Sequence, residues 1–400
     1  MNAKLKSLIF TSLSHFSVDG NFLLFPVLIT YYIEIQGLSL VIIGLMPVLY
    51  NLISGFMGVV IGRYADRVDR DAMLLGGALV MNGLSVLLFI VPFILVNQAY
   101  LFMIIGSVIL GISQSIYHPI GATVLSYTFG QKESASYLGI NGSFGSLGRS
   151  VFPLILVFLA AIVGIKLGLI AFVVYFLIIS AVVYLGLKFF KREKYRPRIL
   201  SGESKIASPQ SQRGMTSVIG LLVVIVFLRS MFVSISTTYI PTYLDGVFRS
   251  KELMGIIISV AFFSAVIGQP FFGYLTSRYG GKFTISLTSV GLIGFFLLFL
   301  FLSRSFASVL VNFTFFALFT YTGFPVLLGY VSQIVPKENL SSASSLVWGI
   351  GNTVGGSVGL LAFDGLLVIR NMFDSFLIML AFAVVSTFLL VFLPKKVQDT

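Results

Sequence analysis

Cysteine is absent from this 400-residue chain, which also has only two histidines and one tryptophan. Without cysteine there is no disulfide framework, no thiolate metal site and no cysteine nucleophile. Charge is scarce too. Charged residues make up 10% of the chain, where ordinary soluble domains carry about 25%. Acids are scarcer than bases, 14 against 26. No G-x-x-x-x-G-K-[ST] loop is present, so ATP-driven transport has no phosphate cradle. There is no His-Glu metal spacing and no Ser-His-Asp set at a common depth, so neither an enzyme nor a cofactor or metal is expected. What abounds is apolar surface: 57% of residues are hydrophobic and the mean hydropathy is +1.03. Two or three soluble domains of this length could not keep that much apolar surface from water.

A helix crossing the hydrocarbon core needs about 20 largely apolar residues. On that template the chain divides into twelve runs, at 8–33, 39–62, 73–96, 99–128, 138–164, 166–188, 217–244, 252–276, 282–303, 305–333, 340–365 and 371–394. The first run is too long for a cleaved signal peptide. No alternating segments of about ten residues suggest a membrane β-barrel. The expected fold class is an all-α membrane protein with twelve transmembrane helices.

The basic residues orient these spans. With the N-terminus placed in the cytoplasm, 19 Lys and Arg fall on cytoplasmic segments and 5 on outside loops. That bias predicts cytoplasmic N- and C-termini in the cell membrane, and makes the net charge of +12 a topology signal. Lipid bilayer is therefore an expected partner, and nucleic acid is not.

The chain also repeats itself. A basic stretch with Pro, Ser and Gly at 191–215 reads as a cytoplasmic linker. It separates an N-terminal six-helix bundle (1–190) from a C-terminal one (216–400). "GRYADRVDRD" (62–71) after the second run is matched by "GYLTSRYGGK" (273–282) after the eighth, 211 residues later. Pro119 and Pro325 lie 206 residues apart in the fourth and tenth runs. These features predict two pseudo-symmetric halves from a duplicated six-span unit.

Twelve spans, a central cytoplasmic loop and a G-x-x-x-D-R/K-x-G-R-R/K loop resemble the major facilitator superfamily of secondary transporters. Gly62, Asp66, Arg67 and Arg70 carry the match in the first loop, with Asp69 and Asp71 departing from it. Gly273, Arg278, Gly280 and Lys282 carry it in the second, where Ser277 replaces the acid. The resemblance implies alternating access between the halves. It also implies a gating role for Gly62, Asp66, Arg67, Arg70, Gly273 and Arg278.

Three charged residues fall deep inside these runs: Asp19, Arg149 and Arg229. Both histidines, His15 and His118, are also in spans. At 1.5 Å rise per residue, Asp19, Arg149, Arg229 and His118 each lie about 15–18 Å along their spans, near the midplane. Burying such groups is costly, so they are expected to face a cavity or one another. His15 and Asp19 share one helix face at i and i+4. An imidazole beside a carboxylate suits proton uptake near neutral pH, so Asp19, His15 and His118 are the expected proton-coupling residues. Two arginines against one aspartate leave a positive charge over, which suits an anionic substrate. Arg149 and Arg229, with Tyr117, Asn141, Phe144, Tyr239 and Trp348, are the expected substrate-binding residues. Gly142, Gly145 and Gly148 in the fifth span, and Gly351, Gly355 and Gly359 in the eleventh, are expected to form thin, closely packing helix faces.

A narrower resemblance lies in "SHFSVDGNFLLFPVL" (14–28) and "YHPIGA" (117–122). These resemble the fosmidomycin-resistance branch of the superfamily, although Ile120 stands where that branch has Glu. The resemblance implies an antiporter for drug efflux, of the multidrug-resistance type. The expected function is proton-coupled export of a small organic molecule, anionic or amphipathic, by a monomer. The alternative is proton-coupled or facilitated uptake of an anionic metabolite such as an organic acid or sugar phosphate.

Overall fold

The computed structural model describes residues 2–35, 37–191, 209–335, 343 and 346–394. The described residues are almost entirely helical, as the apolar runs require in a solvent without hydrogen-bonding partners. The helices are α1 (Ala3–Tyr32), α2 (Leu40–Val68), α3 (Asp71–Ile90), α4 (Ala99–Val163), α5 (Ile165–Leu187), α6 (Pro209–Phe248), α7 (Lys251–Tyr279), α8 (Gly281–Leu302), α9 (Phe306–Thr320) and α10 (Gly323–Ile334). A wider π-helical segment, Leu346–Val354, leads into α11 (Gly355–Ile369), and α12 (Met372–Leu389) follows. Eleven helical stretches are long and apolar enough to cross a membrane, and α9 is a shorter apolar helix of 15 residues.

Two details differ from the twelve runs. The fourth and fifth share one unbroken helical trace, α4. Yet Tyr117 Oη donates to Asn141 Oδ1 over 2.8 Å, whereas 24 residues of straight helix would span about 36 Å. The rings of Phe129 and Tyr137 likewise stack with centroids 3.6 Å apart. α4 therefore doubles back between them and still supplies two spans. The tenth run, in contrast, is broken at Tyr321–Thr322 into α9 and α10. Proline at 325 has no N–H to donate to the carbonyl four residues earlier, which favours a break at this place.

The chain separates into two compact units, Met1–Gly202 with Thr238–Ser259, and Glu203–Thr237 with Val260–Thr400. The expected linker lies largely outside the described residues, but α6 already begins at Pro209. In the first unit α1 is the central helix. Leu23, Leu24, Phe25, Val27, Leu28 and Ile29 along it are all buried, as befits a helix packed on all sides. α4 lies along α1, α2 and α3, and α5 along α3. In the second unit, Val226 of α6, Phe272 of α7, Ile285 of α8 and Tyr330 of α10 share one core with Val347 and Leu390.

The repeated loops have a backbone cause. Asp69 closes α2 with φ 37°, and Gly280, 211 residues on, joins α7 to α8 with φ 91°. A residue with positive φ stands at this position in both halves. Aspartate is among the few side chains that tolerate the left-handed conformation found at Asp69, whereas Gly280, with ψ 150°, lies in a region open essentially to glycine.

Candidate functional site

In the first unit the intramembrane charges converge. Asp19 of α1 is buried at 7% exposure. Its Oδ2 lies 3.1 Å from Arg149 Nη2 and 3.4 Å from His15 Nε2. Its Oδ1 lies 3.8 Å from His118 Nε2. The i, i+4 spacing puts His15 and Asp19 on one face of α1. The two arms of α4 bring His118 and Arg149 to that face. A lone buried carboxylate would be prohibitively costly, and this arrangement surrounds it with three cationic or potentially cationic groups.

A second ring of contacts holds His15. Its Nδ1 lies 2.8 Å from Asn141 Oδ1, which also accepts from Tyr117 Oη. Asn141 Nδ2 reaches Thr11 Oγ1 at 3.4 Å and Ser12 Oγ at 3.3 Å. The Tyr117 hydroxyl also lies 3.0 Å from the Thr11 carbonyl. The rings of His15 and Tyr117 pack with centroids 4.6 Å apart. By contrast the His118 side chain is half exposed, at 48%. It forms the open side of the cluster.

Gly145 makes room for this cluster. A Cβ there would lie 2.5 Å from His15 Nε2 and 2.8 Å from Asp19 Oδ2. One turn on, a Cβ at Gly148 would collide with the carbonyl of Phe16. These glycines let the α4 backbone rest directly on α1, as the thin face in the sequence predicts.

The second unit repeats this contact without the charges. Gly356 and Gly359 stand 211 residues after Gly145 and Gly148, and their missing Cβ atoms would collide with Ser234 and Met231 of α6. Ser230 and Ser234 follow His15 and Asp19 by 215 residues, and Asn352 follows Asn141 by 211. Ser230 Oγ donates to Asn352 Oδ1 over 3.0 Å. The hydrogen bond from helix to asparagine is retained, while hydroxyls replace imidazole and carboxylate.

Arg229 of α6 lies in the second unit at 6% exposure. Its Nη2 donates to the carbonyls of Phe319 and Thr320, at 3.3 and 3.4 Å. These are the last residues of α9, so the guanidinium satisfies carbonyls freed by the helix break and sits at the negative end of its dipole. Its Nε has no hydrogen-bond partner, and no carboxylate pairs with it among the described residues.

The structure thus gathers His15, Asp19, Tyr117, His118, Asn141 and Arg149, and places Arg229 apart in the other unit. Phe144 is exposed and Tyr239 is buried in the first unit. Trp348 is half-buried in the π-helical segment of the second. Gly62, Asp66 and Arg67 fall on the last turns of α2, but their side chains lie outside the described residues. Arg70 is exposed ahead of α3. Gly273 lies in α7, and Arg278 at the end of that helix donates to the Tyr274 hydroxyl and lies over the ring of Tyr279.

Three features escaped the sequence. Asp364, at the very end of the eleventh run, is buried within α11 at 2% exposure; a longer hydropathy window would have flagged it. Lys251 pairs with Glu34, and with Asp245 at 3.4 Å, with its ammonium 4.9 Å from the centroid of the Tyr31 ring. These partners stand 217 and 6 residues away, so no local spacing announces the cluster. The match of Ser230 and Asn352 to His15 and Asn141 emerges only from the helix pairing.

Comparison with known proteins gives the family. The family model described as Major Facilitator Superfamily matches residues 11–249 and 222–400. A protein named MFS-type transporter, from Gibberella moniliformis (strain M3125 / FGSC 7600), is 25% identical over 344 residues, covering 81% of this chain and 77% of the relative. A crystal structure of a bacterial homolog of the human lysosomal transporter Spinster, inward-facing and unoccupied, superposes with a TM-score of 0.75 at 13% identity. It covers 99% of both chains. A variant of the nucleoside transporter NupG also gives 0.75, at 15% identity, covering 98% of this chain and 99% of the other. Two family matches that together span nearly all of the chain, on a membrane-type helical fold, place this multi-pass membrane protein in the Major Facilitator Superfamily of transporters.

Proposed function

We propose that this transporter works by alternating access and uses protons to export a small organic compound, anionic or amphipathic, across the cell membrane. The observation that carries the reading is Asp19, buried among His15, His118 and Arg149. A proton is the coupling ion best suited to one carboxylate and two imidazoles, since a Na⁺ site wants more oxygen ligands. His118, on the open side, admits the proton to the cluster. The six-plus-six arrangement, with a linker at 191–215 and both termini cytoplasmic, supplies the two rocking halves of a monomer. The last turns of α2 and α7, with the turn before α3, serve as gate elements through Gly62, Asp66, Arg67, Arg70, Gly273 and Arg278. The segments around His15 and His118 support kinship with the fosmidomycin-resistance branch.

Charge arithmetic links direction to substrate. Without its extra proton the cluster of Asp19 and Arg149 is neutral; with it the cluster is positive. A loaded cluster repels the cationic group of an amphipathic substrate, so proton and substrate take turns, as exchange requires. It attracts an anion, so the two travel together. The 3.1 Å contact between Asp19 and Arg149 therefore favours a second reading for a fully anionic substrate. Protonating Asp19 frees Arg149 for a carboxylate or phosphate, and uptake follows. Arg229 is the second guanidinium proposed to bind an anionic substrate.

The test is flux in proteoliposomes under an imposed pH gradient. Asp19→Asn abolishes gradient-driven flux and leaves counterflow. Unchanged driven flux would sink the coupling role. The sign of the gradient that drives accumulation separates export from uptake.

A further inference from the structure

We propose that Asn141 is a positioning residue whose side-chain amide turns with the proton carried by His15. The inference rests on the coupling reading above, and it concerns how the proton is registered.

An imidazole nitrogen donates only when it bears hydrogen, and an amide oxygen only accepts. In the structure Asn141 Oδ1 faces His15 Nδ1 at 2.8 Å, an orientation that suits a ring bearing hydrogen on Nδ1. The other ring nitrogen, Nε2, faces Asp19 Oδ2 at 3.4 Å, and a bare lone pair there would oppose a carboxylate. A ring with hydrogen on both nitrogens fits both contacts, so this orientation of the amide is the one that suits the proton-loaded ring. Tyr117 completes it by donating to Asn141 Oδ1 at 2.8 Å.

Half a turn of the amide exchanges its oxygen and nitrogen. Nδ2 then donates to a bare Nδ1 and to the Tyr117 oxygen. The Tyr117 hydrogen passes to the Thr11 carbonyl, already 3.0 Å away. Asn141 Oδ1 meets the Ser12 hydroxyl, which can donate to it, while the Thr11 hydroxyl keeps its bond to the Ser7 carbonyl. Every polar group is satisfied again, now with a neutral His15 whose Nε2–H still points at Asp19. The two arrangements differ by one proton and one amide rotation. The groups facing His15 are Asp19 from α1, and Tyr117, His118, Asn141 and Arg149 from α4. Among them Asn141 is the group set against Nδ1, and its rotation exchanges an acceptor for a donor there. Ser230 and Asn352 keep the bond in the second unit, where no titratable ring requires the turn.

The experiment is nitrogen NMR of detergent-solubilised protein labelled with ¹⁵N-histidine. The chain has two histidines, so a His118→Gln variant assigns the remaining ring to His15. In the unmodified protein, neutral His15 is expected as the Nε2–H tautomer, with both nitrogens protonated at lower pH. Asn141→Asp leaves only acceptors against Nδ1 and should raise the doubly protonated fraction at pH 7 about tenfold. Asn141→Leu removes the partner of Nδ1 and should not raise that fraction, while Asp19 still holds Nε2–H. A neutral ring found mainly as Nδ1–H in the unmodified protein overturns the proposal. So does an identical response to the two substitutions. The readout needs no substrate. If the ring behaves as expected while Asp19→Asn leaves driven flux intact, the positioning role stands and the coupling reading falls.

Discussion

Arg149 reaches Asp19 across 3.1 Å inside the first unit, and each is the other's nearest opposite charge. Removing one partner leaves the other buried and uncompensated. Arg149→Gln is expected to lower apparent stability by about 3 kcal/mol. The double variant Arg149→Gln, Asp19→Asn should lose less than the sum of the singles, by about 1–3 kcal/mol. Thermal unfolding of the four proteins in one detergent measures this. Strict additivity would show that the pair does not interact.

Gly145 leaves the space that His15 and Asp19 occupy. Gly145→Ala should displace the pair, cost about 1–3 kcal/mol and cut proton-driven flux sharply. Gly139→Ala is the control, because nothing lies within 4 Å of its added Cβ. It should be neutral or slightly stabilising, since alanine favours helix. Equal loss in both would detach the effect from the cluster.

Arg229 satisfies the carbonyls at the end of α9 and has no carboxylate partner among the described residues. Arg229→Met should cost about 1–3 kcal/mol by leaving those carbonyls bare. If the guanidinium also holds substrate, anionic ligands that raise the melting temperature of the unmodified protein should no longer do so. A saturating ligand at a hundred times its Kd stabilises by about 2.7 kcal/mol, well within reach of a thermal-shift assay. Arg304→Met, on a loop, should leave both readouts unchanged.

Lys251 joins Glu34 and Asp245 where α1 and α6 end. Lys251→Gln should loosen these ends by leaving two carboxylates facing each other. The absence of native cysteine makes this easy to follow. Thr242→Cys, at a buried position in α6 with 7% exposure, supplies a single reactive site. Its labelling by a membrane-impermeant maleimide should accelerate several-fold when Lys251→Gln is added. An unchanged rate would reduce the cluster to a static surface contact.

The fold class was legible because a membrane imposes a one-dimensional code. Apolar runs of about twenty residues become helices, since only a helix satisfies the backbone within a single segment in lipid. Where local geometry departs from that code, as at the turn within α4 and the break at Tyr321–Thr322, the run length alone carried no signal. The site was half legible. Asp19, His15, His118 and Arg149 stand out as charges with no topological purpose, and the i, i+4 spacing already joined two of them. Asn141 and Tyr117 were only candidates among many polar and aromatic residues.

By itself the sequence determined the helical membrane class, the repeat of six spans and the few residues whose burial demands a function. Each of these depends on composition and spacing along one chain. Tertiary structure alone decided which residues meet. It set Asn141 against His15 rather than leaving it on a cavity wall, sent Arg229 to the end of α9, and matched a charged cluster in one unit with a serine–asparagine pair in the other. Such pairings depend on how two backbones approach at glycine. That distance is set by the packing of whole helices and cannot be read from either helix alone.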